Sequence, residues 1–300
     1  MFRLSFHIDK QLIALKIKLL SILLLFSSLC FAQNNTEVSL FLKSDSTLYL
    51  NEITSEDGDL FRELAHHGPA IENKWLALRI YFDHKCAIDI YSKTKEGLEL
   101  KEAKWYPTPK QQKEGWGADY YKVGKTVGLG GVRLWDGKEV INLNPVTKRT
   151  ARVVKEANQS YLEMLNEGVP YKGKQVDILV RITVFSSHRE AKVEAFALSD
   201  EPVQFVTGIN YHKGTKIFEK ENYIATWGIH PEDVATEDVA LGGAIVFDPD
   251  KFEKTIDDGS QKLLISKPTK YIKTWITSAN SREDKINNAK SFMKTINSKR

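Results

Sequence analysis

The stretch VDILVRITVF-SSHRE-AKVEAFAL, residues 176–198, decides the fold class. Apolar side chains alternate with polar ones through its first ten residues, and the apolar positions are Val176, Ile178, Val180, Ile182 and Val184. Such an alternation predicts a strand with one buried face. The turn-like residues 186–190 predict that residues 191–198 return antiparallel, as the longest hairpin of the chain.

Outward from this hairpin, short β-rich runs bounded by Gly, Pro, Asn or Asp recur, and helical periodicity is scarce. The predicted strands are 38–42, 47–53, 75–82, 87–92, 126–135, 203–211, 222–229, 239–247, 262–266 and 271–276. They predict an all-β fold, an antiparallel β-sandwich. Residues 101–121 show no clean period and predict a long surface loop. Ser281–Ile296 predict a C-terminal helix that starts at a capping box of Ser281 and Asp284.

The first 32 residues have the pattern of a secretory signal peptide. Basic residues precede the apolar run 19–25 and the triplet Cys30-Phe31-Ala32. The run is shorter than the ~20 residues of a membrane-spanning helix, and Leu29 stands where a lipidation site needs a small residue. We predict cleavage near Ala32/Gln33, a secreted or periplasmic protein without stable membrane insertion, and a single domain over residues 33–300.

The composition excludes several classes of protein. The chain has 300 residues, 42% hydrophobic and 27% charged, which is a globular composition. Its net charge of +4 falls to +1 once the four basic residues and one acid of the leader are removed. A nearly neutral chain without a basic block predicts no nucleic-acid partner. Cys86 is the one cysteine after the leader, so no internal disulfide can form.

Motifs for metal, nucleotide and serine-hydrolase chemistry are absent from the sequence. It holds no Cys-x-x-Cys, no His-Glu-x-x-His, no Gly-x-Ser-x-Gly and no complete phosphate-binding loop. His66 and His67 are adjacent, so on a strand they would point to opposite faces. We therefore predict no cofactor and no metal, although a metal held by residues distant in sequence stays open.

Polar and aromatic residues collect in short segments marked by Gly or Pro, as in a cleft wall: 66–69, 72–73, 115–119, 210–214 and 226–231. The segments His67-Gly68-Pro69, Leu78–Asp83, Ala87–Tyr91, Trp116–Asp119 and Asn210–Gly214 resemble a secreted bacterial family known as a domain of unknown function, over roughly residues 60–280. Members of that family accompany polysaccharide-degrading enzymes.

Within that family the chain resembles the oligosaccharide dehydratase of ulvan breakdown. The resemblance implies removal of water from a saturated uronic acid at the non-reducing end, which leaves a 4,5-unsaturated uronate. It also implies the β-sandwich shared by mutarotases and many polysaccharide lyases. The substrate is then an anionic oligosaccharide.

Dehydration of a uronate needs a base, an acid and a group that binds the carboxylate. We assign base and acid to His67 and His212, because imidazole titrates near neutral pH, with Tyr211 and His230 as alternatives. Arg79 and Lys122 are candidates for the carboxylate, and Arg79 has the alternative of a structural ion pair with Asp83 or Asp89. The remaining predicted substrate contacts are Glu72, Asn73, Trp116, Asp119 and Trp227, with turn or core roles as their alternatives.

Two other functions fit the same residues. A non-catalytic carbohydrate-binding protein would use the aromatic wall without acid or base chemistry. A uronate epimerase would use the base but return the proton. The sequence leaves these alternatives open.

Overall fold

The computed structural model describes residues 35–231 and 237–297. The predicted signal peptide and its cleavage site lie outside the described residues. The described part is mostly β-strand, and its paired strands run antiparallel, as predicted. No helix in these two ranges is long and apolar enough to cross a membrane.

The strands are β1 (Thr36–Ser39), β2 (Glu52–Ser55), β3 (Ala70–Asn73), β4 (Leu76–Ile80), β5 (Ile88–Ser92), β6 (Arg133–Trp135), β7 (Val140–Ile141), β8 (Lys148–Lys155), β9 (Gln159–Tyr171), β10 (Lys174–Phe185), β11 (Ala191–Ala197), β12 (Phe205–Asn210), β13 (Lys216–Lys220), β14 (Tyr223–Ile229), β15 (Ala240–Phe247), β16 (Phe252–Asp257), β17 (Gln261–Ser266) and β18 (Tyr271–Asn280). The α-helices are α1 (Leu100–Ala103), α2 (Pro109–Lys113) and α3 (Ala289–Asn297), and short 3-10 helices lie at Ala65–His67 and Pro249–Lys251.

One layer is a nine-stranded sheet in the order β13-β14-β15-β18-β11-β10-β9-β8-β2. The predicted hairpin is present in it as β10 and β11. The prediction that this hairpin is the longest is wrong, because β9 pairs with β10 over a greater length. Gly168 and Pro170 interrupt the alternation of polar and apolar residues along β9, so this strand was not predicted from the sequence. Lys172 and Gly173, both with positive φ, close the β9–β10 hairpin in two residues.

The opposite layer contains a four-stranded sheet, β1-β3-β4-β5, and a five-stranded sheet, β16-β17-β12-β6-β7. The predicted strand 126–135 is regular only as β6, because Gly128 and Gly130 take positive φ. Single bridges join Gly128 to Ile88 and Leu129 to Ile209, and so connect the two sheets. A Cβ at Gly128 would lie 1.9 Å from the Ile88 carbonyl oxygen, so this approach requires glycine.

A shared hydrophobic core lies between the layers. It includes Ile71 from the four-stranded sheet, Phe205 from the five-stranded sheet and Ile178 from the nine-stranded sheet, each fully buried. Each such side chain contributes about 1.5–3 kcal/mol by leaving water. Cys86 is buried in the same core.

The structure corrects two further predictions. The stretch 101–121 is not an irregular surface loop, since it carries most of α1, all of α2 and a fully buried Trp105. The C-terminal helix exists, but it starts at Ala289. Its cap is Asn288, whose Oδ1 accepts a hydrogen bond from the Ser291 N–H at 3.0 Å, and not Ser281.

Candidate functional site

A buried arginine organises the outer face of the four-stranded sheet. Arg79 on β4 stands opposite Asp89 on β5. Its Nε and Nη2 donate to Asp89 Oδ2 at 2.9 and 2.5 Å, and Nη2 also donates to Asp119 Oδ2 at 2.9 Å. Arg79 is only 3% exposed. The structure therefore contains the structural ion pair between Arg79 and Asp89. Asp83, the other candidate partner of Arg79, lies 3.6 Å from the Lys85 ammonium.

Three aromatic side chains complete this group. The Tyr81 hydroxyl donates to Asp89 at 2.7 Å, and the Tyr106 hydroxyl accepts from Arg79 Nη1 at 2.7 Å. The Trp105 ring lies 4.4 Å from the Arg79 guanidinium carbon. We call Arg79, Tyr81, Asp89, Trp105, Tyr106 and Asp119 the arginine cluster. Since the Tyr106 hydroxyl accepts from the guanidinium, its own proton is directed elsewhere. Tyr106 as a whole is 37% exposed.

The backbone beside this cluster adopts an unusual conformation. His66 and His67 have φ of 57° and 59°, and Lys104 and Trp105 have φ of 48° and 72°. A left-handed conformation costs an ordinary residue roughly 1–2 kcal/mol. Two consecutive pairs of such residues flank the arginine cluster. Concentrated strain of this kind is typical of functional sites.

The two adjacent histidines have different environments. His66 is buried and its Nε2 lies 2.9 Å from the Ser39 hydroxyl. Burial, with a smaller effect of Arg79, lowers the pKa of His66 to about 3. His67 is half-buried and stacks on Phe61 at 4.0 Å. Its Nδ1–H donates to the Phe61 carbonyl at 2.7 Å, so Nε2 carries the lone pair in the neutral ring. Burial and then Arg79 lower the pKa of His67 as well.

A second group of polar residues surrounds the backbone of Lys122. The Lys122 N–H donates to His230 Nδ1 at 3.1 Å. The Lys122 carbonyl accepts from His212 Nε2 at 2.9 Å and from Asn210 Nδ2 at 2.8 Å. The two histidine rings are 4.5 Å apart, and Tyr121 packs 4.6 Å from His230. We call Tyr121, the Lys122 backbone, Asn210, His212 and His230 the histidine cluster.

These hydrogen bonds fix opposite tautomers in the two rings. His230 accepts at Nδ1, so its proton is on Nε2, where it can be donated. His212 donates from Nε2, so in the neutral ring its Nδ1 carries the lone pair. Burial, with a smaller effect of His212, lowers the pKa of His230 to about 3, so this ring is neutral at physiological pH. The pair therefore presents one proton donor and one proton acceptor.

The two clusters lie on one continuous segment. Asp119 belongs to the arginine cluster and Lys122 to the histidine cluster. Three residues of extended chain span at most about 11 Å, which limits the separation of these two Cα atoms. The structure thus brings Arg79, Asp119, Lys122, His212 and His230 into one neighbourhood, with His67 beside Tyr106 at a ring separation of 6.4 Å.

Other predicted site residues lie elsewhere or are engaged within the protein. The buried Glu72 pairs with Lys93 and accepts from the Glu99 and Leu100 N–H groups at the start of α1. The buried Asn73 accepts from the N–H groups of residues 75 and 76 through its Oδ1. The Asn73 contacts match the alternative of turn bonds to backbone, whereas the Glu72 contacts join segments distant in sequence.

The aromatic candidates also separate. Trp116 is half-buried and packs on the hydrophobic group that contains Trp105. Trp227 is 9% exposed and lies 5.8 Å from Phe292 of α3, on the outer face of the nine-stranded sheet. The tertiary structure thus favours a core position for Trp227.

Tyr211 is engaged within the protein, because its hydroxyl donates to Asp257 at 2.5 Å.

Sequence reasoning missed Tyr81, Tyr106 and Tyr121, and it named Asp89 only as an alternative ion-pair partner of Arg79. One signal was present, since Arg79 and Tyr81 are polar residues on the same face of an otherwise apolar strand. Tyr106 and Tyr121 follow no periodic pattern. Among the described residues, no group of three or more His, Cys, Asp or Glu is placed to hold a metal ion.

Solved structures with similar backbones were found, and no curated protein sequence matches the chain. A protein described as a kojibiose phosphorylase from the human microbiome has a TM-score of 0.44 and 14% identity over 87% of this chain and 36% of its own. A 4-alpha-glucanotransferase from Thermococcus litoralis has a TM-score of 0.35 and 11% identity over 71% and 37%. The chain spans about a third of the length of these two proteins. A protein described as an aldose 1-epimerase from Klebsiella pneumoniae has a TM-score of 0.33 and 10% identity over 87% and 95%.

Proposed function

The chain belongs to the family described as a domain of unknown function, DUF4861, whose model matches residues 26–300, and we propose that it is an oligosaccharide dehydratase. The proposed substrate is an ulvan-type oligosaccharide with a glucuronic or iduronic acid at its non-reducing end. The reaction is a hydro-lyase step that removes water across C4 and C5.

The observation that carries this proposal is the pair of opposite tautomers in His212 and His230. In the reaction, a base takes the C5 proton, the C4–O bond breaks, and an acid protonates the leaving hydroxyl so that water departs. The C5–H electron pair forms the C4–C5 double bond. In our proposal, Nδ1 of His212 is the base and Nε2–H of His230 is the acid. Rings 4.5 Å apart suit reacting groups on adjacent carbons.

His67 is the second candidate base. Its Nε2 lone pair is fixed by the bond from Nδ1 to Phe61, as the lone pair of His212 is fixed by Lys122. Proton acceptors on two segments, Nε2 of His67 and Nδ1 of His212, would let the enzyme hold a base on either side of a sugar ring. Variants of each residue separate the two roles.

The carboxylate of the uronate needs a cation as it gains enolate character. The ammonium of Lys122 is our candidate, because its backbone is the element that holds both histidines. Arg79 acts indirectly in this proposal, by positioning Tyr106 and Asp119 for contacts with sugar hydroxyls. Trp116 is retained as an aromatic contact.

The test is incubation with a saturated uronate-ended oligosaccharide. We expect ultraviolet absorbance from a conjugated product and a mass lower by one water. His212→Gln retains an N–H donor for the Lys122 carbonyl but lacks the Nδ1 acceptor, and His230→Asn retains an acceptor for the Lys122 N–H but lacks the Nε2 donor. Each variant should lower kcat by roughly 10²- to 10⁴-fold. His84→Gln, at an exposed histidine, is the matched control and should keep full activity.

Two outcomes would replace this proposal. Solvent deuterium at C5 without loss of water would identify an epimerase. Binding without exchange or product would identify a carbohydrate-binding protein.

We also propose export to the periplasm or the medium with cleavage after Ala32, from the residue pattern of the leader. N-terminal sequencing of the exported protein should begin at Gln33. An intact Met1 or a lipidated Cys30 would contradict this.

A further inference from the structure

Lys85 lies between the arginine cluster and the histidine cluster. It stands in the loop that joins β4 to β5, and its Nζ lies 4.8 Å from the ring of Tyr81, a member of the arginine cluster. The same atom lies 5.6 Å from the ring of Phe61, on which His67 stacks. It also donates to the Gly124 carbonyl at 3.4 Å, close in the chain to the backbone that holds the histidine cluster. The ammonium therefore contacts both parts of the candidate site.

The loop fixes the backbone from which this side chain extends. Asp83 Oδ1 accepts hydrogen bonds from the N–H groups of Lys85 and Cys86 at 2.8 and 3.2 Å. The Tyr81 N–H donates to the Ala87 carbonyl at 3.0 Å and closes the loop. A backbone that is already ordered reduces the conformational entropy that Lys85 would lose on binding a ligand.

The Lys85 ammonium has hydrogen-bonding capacity that the protein does not fill. It carries three N–H donors, but its 3.4 Å contact with Gly124 is long for a hydrogen bond and Asp83 Oδ2, at 3.6 Å, is beyond hydrogen-bond range. Within residues 35–231 and 237–297 the ammonium makes no other hydrogen bond or ion pair. The side chain is 21% exposed, so a ligand can reach it.

The proposed reaction has a use for a second cation at this place. When the C5–H bond of a uronate breaks, additional negative charge spreads over both oxygens of a carboxylate that is already an anion. The ammonium of Lys122 is a compact point charge, which suits one of these oxygens. We propose that Lys85 is a second carboxylate-binding residue, whose ammonium binds the other oxygen of the uronate. This inference rests on the proposed function and makes Lys85 a determinant of specificity for uronates.

Asp83 is the group that competes with the substrate for Lys85. Its Oδ1 is occupied by two backbone N–H groups, and its Oδ2 is 3.6 Å from the ammonium. A loose and partly exposed ion pair contributes little to stability, whereas a direct hydrogen bond from the ammonium to a substrate carboxylate is charge-assisted and strong. Asp83→Asn retains the Oδ1 acceptor for the loop and removes the competing charge.

The experiment is calorimetric titration of the protein with a saturated glucuronate-ended disaccharide and with its carboxyl-reduced form, which lacks only the anionic group. Lys85→Met should weaken uronate binding by roughly tenfold and leave the affinity for the reduced sugar unchanged. Lys85→Arg should keep the preference for the uronate. Asp83→Asn should tighten uronate binding by roughly two- to fivefold. Lys95→Met is the matched control, because the exposed Lys95 ammonium also donates to a backbone carbonyl, that of Glu114.

Turnover supplies a readout that a structural role of Lys85 would not change. Because the charge on the carboxylate increases in the transition state, Lys85→Met should lower kcat by roughly 10²-fold and raise KM by less. The melting temperature of each variant is measured beside it. If Lys85→Met does not fold, Lys85→Arg and Asp83→Asn still test the assignment.

Failure of this inference and failure of the proposed activity give different results. An equal preference for the uronate in Lys85→Met and parent, or no preference in the parent, would overturn the assignment of Lys85. Weaker uronate binding in Asp83→Asn would do the same. A parent that prefers the uronate without dehydrating it, with the preference lost in Lys85→Met, would support Lys85 and contradict the dehydratase.

Discussion

The arginine cluster and the histidine cluster lie on one chain segment but are held together in different ways. Arg79 is held by two carboxylates, and burial of all three charges makes each dependent on the others. His212 and His230 are held by the uncharged backbone of Lys122. An ion pair occupies the charged groups that it holds in place, so they are not available to a substrate. A backbone hydrogen bond occupies only one nitrogen of each histidine ring, so the other nitrogen is available for proton transfer. Under our proposal, the arginine cluster supports the site and the histidine cluster carries out the chemistry.

The largest expected effect on stability is that of Arg79→Met. It leaves Asp89 and Asp119 buried without their cation, so we expect the free energy of unfolding to fall by about 3–5 kcal/mol. Urea denaturation measures this, with Arg152→Met at an exposed position of β8 as the control. If Arg79→Met leaves stability intact and weakens only substrate binding, Arg79 is the carboxylate-binding group and the comparison fails.

The opposite result is expected for the histidine cluster. His230→Asn and His212→Gln should lose far more activity than stability, with unfolding free energies within about 1 kcal/mol of the parent, because each retains its bond to Lys122. The measurement is kcat beside urea denaturation on the same samples. A loss of stability as large as that of Arg79→Met would make the histidines structural.

Acid should destabilise the protein through two buried histidines, His66 beside the arginine cluster and His230 in the histidine cluster. His66 and His230 have folded pKa values of about 3, below the ordinary 6.5. Below pH 6.5 these two histidines bind protons in the unfolded chain but not in the folded chain. The free energy of unfolding therefore falls as the pH drops toward 3. The expected slope is about 1.4 kcal/mol per pH unit for each histidine, and above pH 6.5 there is no effect.

Urea denaturation at several pH values between about 7 and 5 measures this slope. His66→Gln and His230→Asn should each reduce the slope of the unfolding free energy against pH by about 1.4 kcal/mol per pH unit. His84→Gln should not change this slope. An unchanged slope in either variant would mean that the corresponding ring is not buried in the neutral form.

The smallest expected effect concerns backbone strain. Lys104→Gly should raise stability by up to about 1 kcal/mol, because glycine adopts the left-handed conformation freely. Lys172→Gly, at the same φ of 48° in the β9–β10 turn, is the matched control and should gain a similar amount. If only Lys104→Gly changes turnover, the strain beside the arginine cluster contributes to function and not only to folding.

The period-two pattern of residues 176–185 was enough to predict β10 and its buried face, because alternation alone determines which side chains share a face. The same rule failed for β9, where Gly168 and Pro170 break the alternation and only pairing with β10 shows a strand. The burial of Trp105 was not predicted either, because no local pattern distinguishes this residue from a surface residue. Only the fold places it against Arg79.

For the site, the sequence by itself determined the residue types, since Asp119, His212 and His230 stand in Gly-marked or Pro-marked segments that suggested a cleft. Only the tertiary structure decided how they act. Arg79 is paired because β4 and β5 align it with Asp89, and Trp227 lies beneath α3 because of the strand face on which it falls. Hydrogen-bond partners and tautomers depend on atoms distant in the chain, and a linear sequence does not state those distances.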